Sequence, residues 1–257
     1  MNIDLNCDMG EGYGIYELGL DEEAMPLVSS ANIACGFHAS DPGTMHRTVR
    51  LARRYGVAVG AHPSFPDRVG FGRRHLAASP GEIRDDVVYQ VGSLWGFCRA
   101  EGVQLRHVKP HGALYNAAAT DLATALAVAE AVKAVDSELW LVCLAGSALV
   151  EAARRTGLRH VQEAFADRAY AGDGTLVPRS VPGSVIDDAV RVEERVARMV
   201  RDRKVISIDG AEVPIDAGTI CVHGDTPGAV GLIRAIRARL ERERIAIRPF
   251  SQQEDAT

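Results

Sequence analysis

Short apolar runs recur along this chain, each followed by a glycine- or proline-rich stretch and then by a longer segment with helical spacing. The runs are NIDLN (2–6), SANIACG (30–36), VAVGAH (57–62), LRHVKPHG (105–112), LWLVCLAG (139–146), HVQEAFAD (160–167) and TICVHGD (219–225). Aliphatic and β-branched residues dominate them and turn-forming residues bound them, which predicts strands. The stretches 42–55, 79–101, 120–135, 146–156, 184–203 and 226–244 predict helices. Asp41 before Pro42 is a helix cap with proline in the first turn. Ser79-Pro80-Gly81-Glu82 has the spacing of a capping box. The stretch KVISIDGAEVPID (204–216) predicts an inserted hairpin with Asp-Gly at its tip.

Strand–helix alternation without a break in composition predicts one parallel α/β domain over residues 1–250, with 251–257 as a frayed tail. Apolar strand runs fit burial on both faces. Seven strands suit a barrel or an open sheet. A barrel is expected, because residues able to do chemistry follow nearly every strand rather than one switch point. The opening stretch IDLNCDMGEGYG does not change this. Its glycines stand at 10, 12 and 14, but a dinucleotide loop starting at Gly10 needs a third glycine where Ile15 stands. No lysine follows as in a phosphate loop, and Asp8 and Glu11 would oppose the positive field that holds phosphate. The stretch reads instead as a strand end that carries acids.

Composition narrows the class. With 257 residues, 47% hydrophobic and 25% charged, the chain is ordinary for a globular protein. A net charge of −5 and the lack of a basic stripe argue against nucleic acid as a partner. No segment approaches the roughly 20 apolar residues that span a bilayer, and the start lacks a basic-then-apolar leader. A cytoplasmic, soluble protein is expected. The five cysteines contain no CxxC pair, so they read as reduced, buried small apolar residues.

The chemistry gathers after the strands. Asp8 and Glu11 follow the first, Cys35, His38 and Asp41 the second, and His62, Asp67 and Arg68 the third. Lys109, His111 and Tyr115 follow the fourth, Glu163, Asp167 and Arg168 the sixth, and His223 and Asp225 the seventh. In a parallel barrel these ends open on one rim. Four of the eight histidines belong to this set, whereas His46, His75, His107 and His160 read as structural or solvated. Asp8, His38 and His62 could hold a divalent metal and activate water, although no local metal motif supports it. The same groups could work by acid–base chemistry, with His223 and Asp225 as a pair. Lys109, ending a buried strand, needs a partner or a task, such as holding an anionic oxygen. Loops such as GFHASDPGT, AHPSFPDRVGFGRR, KPHGALYN and HGDTPGA are long and rich in glycine and proline, as functional loops are. Arg68, Arg73 and Arg74 beside the acids suit a carboxylate or phosphate.

Taken together, NCDMGEGYG, SSANIACGFHASDP, GVAVGAHPSFPDRVGFGRR, VKPHGALYN, EAFADRAY, YAGDGTLVPR and CVHGDTPGA resemble the signatures of the LamB/YcsF family, the A-subunit proteins of 5-oxoprolinase. The likeness runs in order from residue 2 to about 250. It implies a seven-stranded (β/α) barrel similar to glycoside hydrolases and polysaccharide deacetylases. It implies ATP-dependent opening of 5-oxo-L-proline to L-glutamate, with ATP as co-substrate and partner subunits B and C. The rim residues, read beside that resemblance, give Asp8, Lys109, His223 and Asp225 as the expected catalytic set. Asn6, Glu11, His38, His62, Arg68, His111, Glu163 and Arg168 are the expected substrate-binding set. Competing readings are a stand-alone metal-dependent amidase or deacetylase acting on a small or sugar substrate, and a non-catalytic scaffold for the partners.

Overall fold

The computed structural model describes residues 1–224 and 228–252. The chain runs β1 (Asn2–Met9), α1 (Asp21–Ala24), β2 (Ser30–Ala34), α2 (Pro42–Tyr55), β3 (Ala58–His62), α3 (Pro80–Ala100), β4 (Leu105–Val108), α4 (Gly112–Thr120) and α5 (Leu122–Val135). It continues through β5 (Trp140–Leu144), α6 (Ala148–Thr156), β6 (His160–Phe165), α7 (Ala189–Asp202), β7 (Lys204–Ile206), β8 (Glu212–Pro214), β9 (Thr219–Val222), α8 (Ala229–Arg242) and β10 (Ala246–Ile247). Strands β1, β2, β3, β4, β5, β6 and β9 pair in that order, all parallel, and β9 returns to β1. The sheet is a closed seven-stranded parallel barrel, the architecture that the distribution of rim residues implies. β10 adds a short parallel strand beside the start of β1, and β7–β8 form a separate antiparallel hairpin. Among the described residues no helix is long and apolar enough to cross a membrane.

Local chemistry accounts for the elements. Asp41 caps α2, its Oδ1 accepting the N–H groups of Gly43 at 2.8 Å and Thr44 at 3.2 Å. Ser79 and Glu82 form the reciprocal capping box of α3. The five cysteines are free and buried. Three features differ from the sequence expectation. First, β1 extends through Met9, so Asp8 lies within the strand rather than after it. Second, KPHGALYN is not a loop throughout: α4 begins at Gly112 and buries Ala113, Leu114, Tyr115 and Ala118. Its helical spacing is hidden behind the Pro and Gly that precede it. Third, the helix expected from residue 120 starts instead after Asp121, whose extended backbone ends α4 and whose carboxylate caps α5.

The barrel interior is polar where β1 crosses it. Ile3, Leu5, Cys7 and Met9 join the apolar core, and the alternating Asp4, Asn6 and Asp8 are as deeply buried. Asp4 is bonded by Ser30 and Thr219, Asn6 by Asn32, and Asp8 by Asn32 and Lys109. Those partners stand on the flanking strands β2 and β9 and just past β4, on the inner face of the sheet, so the polar set points inward and the apolar set faces the helices. At the opposite end from the rim, Phe250 packs on Val142, Val161 and Trp140 and meets the edge of His107. It closes the barrel floor.

Candidate active site

The carboxyl ends of the strands surround a cavity of about 540 Å³. Seven of the expected site residues line it: Asp8, Glu11, His62, Lys109, His111, Arg168 and His223. Asn6, His38 and Glu163 stand directly behind that lining and are almost fully buried. Arg68 does not reach the cavity. Its guanidinium donates to the Gly36 carbonyl and lies 3.9 Å from the centroid of the Tyr13 ring, in a separate groove. Arg73 lines the cavity in its place. Asp225 lies outside the described residues.

Lys109 is the positive centre of the floor. Its Nζ is 3.0 Å from Asp8 Oδ1, 3.0 Å from Glu163 Oε1 and 3.2 Å from Asn6 Oδ1. Cys221 Sγ, 3.0 Å away, is a further contact. Burial keeps that thiol far above its ordinary range, so it remains neutral. Burial also opposes the charge on Lys109, yet the facing carboxylates outweigh it and hold the ammonium raised. An ammonium has three protons, and Asp8 Oδ1, Asn6 Oδ1 and Cys221 Sγ already accept them, with Glu163 as a further ion pair. The lysine therefore neutralises and positions Asp8 and Glu163, and is not poised to take an oxygen from a ligand. Glu163 Oε2 accepts the Tyr115 hydroxyl at 2.7 Å, and burial keeps that phenol protonated. Asp8 is buried as well, but His62 and Lys109 hold its carboxyl well below the usual range.

His223 is a second centre. Its Nδ1 lies 2.9 Å from Asp167 Oδ1 and 3.0 Å from Oδ2, and its ring stacks on Phe165. The aspartate that meets it among the described residues is Asp167, just past the end of β6. Barrel closure places β6 and β9 side by side, which brings these distant residues together. Asp167 resists burial because His223 holds its carboxyl below the ordinary range. With Nδ1–H committed to the carboxylate, Nε2 is the proton-accepting atom of the ring.

Glu11, His38, His62 and His111 form a third centre. One ligand atom from each lies within 4.8 Å of all the others. His38 and His111 stack at 3.8 Å between centroids, and His62 meets both edge-on. The trio Asp8, His38 and His62, expected for a metal, is therefore not the converging set. Asp8 Oδ2 is 3.3 Å from His62 Nε2, but its other oxygen is bonded by Lys109 and Asn32. Asp8, Cys221 and His223 make another grouping within 4.8 Å. Arg73, Arg168 and Arg179 rim the cavity, the last two on the long connection after β6 that also places Thr175 and Leu176 over it. Burial lowers Arg168 to about 10, still charged at neutral pH.

Sequence reasoning does not select Asn32, Asp167 or Cys221 for the site. Asn32 carries a usable signal: a polar residue inside the apolar run SANIACG must find a buried partner. Asp167 stands in the rim inventory, but spacing cannot show which histidine it meets.

The LamB/YcsF family pattern matches residues 3–255. The 5-oxoprolinase A subunit of Symbiobacterium thermophilum is 56% identical over 95% of this chain and 94% of its own length. The protein of the same name from Pyrococcus furiosus is 52% identical over 97% of this chain and 98% of its own. The crystal structure of the lactam utilization protein from Thermus thermophilus superposes with a TM-score of 0.93 at 53% identity, covering 97% of this chain and 100% of that one. A family pattern spanning nearly the whole chain, with relatives this similar end to end, places the protein: it belongs to the LamB/YcsF family.

Proposed function

We propose that this chain is the A subunit of an ATP-dependent 5-oxoprolinase, opening 5-oxo-L-proline to L-glutamate together with partner subunits B and C. The observation that carries the reading is the name shared by relatives more than half identical over nearly their whole length. The cavity supports it. Its volume suits a small ring, arginines at its mouth suit a carboxylate, and acid–base groups stand on its floor.

A lactam is a stable amide, and water attacks it slowly. Phosphorylating the amide oxygen with ATP turns that oxygen into a leaving group. ADP leaves at that step. Water then adds to the carbon, the ring C–N bond breaks as the nitrogen gains a proton, and a second water hydrolyses the resulting acyl phosphate to the carboxylate and phosphate. The sequence carries no phosphate loop, so the partners supply the ATP step and this chain handles the activated ring. His223, oriented by Asp167, takes the proton from water. Arg168, Arg179 and Arg73 hold the carboxylate. Asp8, set by Lys109 and His62, faces the reacting carbon as a second carboxylate.

The test is glutamate formation from 5-oxoproline and ATP, with this chain alone and with B and C. Product should require all three. ATP hydrolysis by the isolated chain at the rate of the whole assembly would overturn the division of labour. In the assembly, His223→Gln and Asp167→Asn should each lower turnover by about 10²–10⁴. Full activity in both variants would remove the catalytic role and favour a scaffold.

A further inference from the structure

The third centre carries an inference that does not depend on the lactam reading. In each of its histidines one ring nitrogen is committed to an acceptor. His62 Nδ1 faces the Lys109 carbonyl at 2.7 Å, and His111 Nε2 faces the Phe71 carbonyl at 2.9 Å. A carbonyl only accepts, so both nitrogens carry protons. His38 Nδ1 is 3.0 Å from Ser64 Oγ, which gives its own proton to the Phe65 carbonyl and so accepts from the ring. In the neutral rings that a metal would bind, the remaining nitrogens, His38 Nε2, His62 Nε2 and His111 Nδ1, carry the lone pairs. All three turn toward one point, where Glu11 adds a carboxylate.

Such lone pairs repel unless something positive stands between them. His62 Nε2 and His111 Nδ1 are 3.0 Å apart. Among the described residues His38 Nε2 makes no hydrogen bond; it is 3.4 Å from Glu11 Oε1, which is 3.8 Å from His111 Nδ1. A proton between the two histidines would relieve only their own contact. One cation answers every contact at once. Four ligands at 2.0–2.1 Å from a zinc-like ion stand about 3.3 Å from one another. The separations here already bracket that value.

The surroundings hold the rings in place. Phe71 is a bulky residue with φ of 55°, and it meets both His38 and His111 edge-on. That uncommon backbone aims its carbonyl at His111. Gly72 follows with φ of 65°, and a Cβ there would stand 2.8 Å from both His111 Cδ2 and His38 Cβ. Fixing a ligand histidine through its second nitrogen is how metal sites are oriented.

We propose that Glu11, His38, His62 and His111 bind one divalent first-row transition-metal ion. Three imidazoles and one carboxylate favour zinc, cobalt, nickel or iron over magnesium and calcium. The site is buried beside Asp8 and opens on the main cavity.

The untagged full-length chain, stripped with a chelator, is dialysed against cobalt(II) or zinc(II), and bound metal is counted by elemental analysis. One ion per folded chain is expected, with visible cobalt absorption reporting the nitrogen-rich shell. Glu11→Gln and His111→Ala should each weaken binding at least about tenfold. His46→Ala, which alters a surface histidine paired with Glu101, should leave it unchanged. A wild-type chain with native circular dichroism that takes up no stoichiometric metal would overturn the site. So would Glu11→Gln binding as tightly as wild type. Should His111→Ala not fold, the wild-type stoichiometry and the Glu11→Gln titration still decide. Because the readout is metal content, failure here would leave the lactam reading standing.

Discussion

At the scale of single residues, Lys109 governs the cavity floor. Its charge is tolerated at 2% exposure because Asp8 and Glu163 each stand 3.0 Å away. Removing one partner of a buried ionic group leaves the others uncompensated. Lys109→Ala should therefore cost about 3–5 kcal/mol of folding stability, measured by urea unfolding. A loss below about 1 kcal/mol would mean that the carboxylates are met by water instead. The lysine itself is legible in the sequence as a residue needing a partner. That its partners exhaust its protons is not legible, since they come from β1, β6 and β9. The partner that His223 meets is hidden for the same reason, since Asp167 arrives from another strand; the expected partner Asp225 lies outside the described residues.

At the scale of elements, two glycine or cap positions make clean tests. A Cβ on Gly60 in β3 would fall inside the volume of the His107 ring. The β3–β4 register shifts between Val59 and Gly60 at that point. Gly60→Ala should lower stability by about 1–3 kcal/mol or more, read as a shifted denaturant midpoint. Ser79→Ala removes one half of the α3 capping box and should cost about 1 kcal/mol. It lies far from the cavity, so thermal unfolding should shift and cobalt binding should not. The strand runs, the Asp41 cap and the capping box are readable because they are local. The boundary between α4 and α5 is not, because Asp121 acts as end and start within an otherwise helical, Ala-rich stretch.

At the scale of the whole molecule, barrel closure has a titratable seam. Asp4 on β1 is paired with Thr219 on β9 and is bonded by Ser29, Ser30 and Thr219. Burial pushes its carboxyl up to about 6, against the lowering effect of those hydroxyls. In the unfolded chain an aspartate titrates near 3.9. The folded state thus binds this proton more tightly between about pH 4 and 6, and stability falls as pH rises through that window. The contribution is about 3 kcal/mol, present below about pH 4 and gone above about pH 6. Asp21, also pushed up to about 6 by burial, acts in the same direction. The comparison is therefore wild type against Asp4→Asn by urea unfolding across about pH 4–7. The difference between them should change over the window, and a parallel pair of curves would refute the assignment.

The sequence by itself determined the architecture and the stock of chemistry. Seven apolar runs separated by helical segments are readable because periodicity and capping are local properties, and the residues able to do chemistry after nearly every run favour a barrel over an open sheet. Its motifs were enough to indicate the family that the whole-chain matches establish. Only the tertiary structure decided which of those groups meet. Closure of β9 onto β1 set Lys109 among three strands, paired His223 with Asp167, and sent Arg68 away from the cavity. It also turned Glu11, rather than Asp8, toward three histidines. Hydrogen bonds and ion pairs act over about 3–4 Å, whereas these residues lie tens to hundreds of positions apart along the chain.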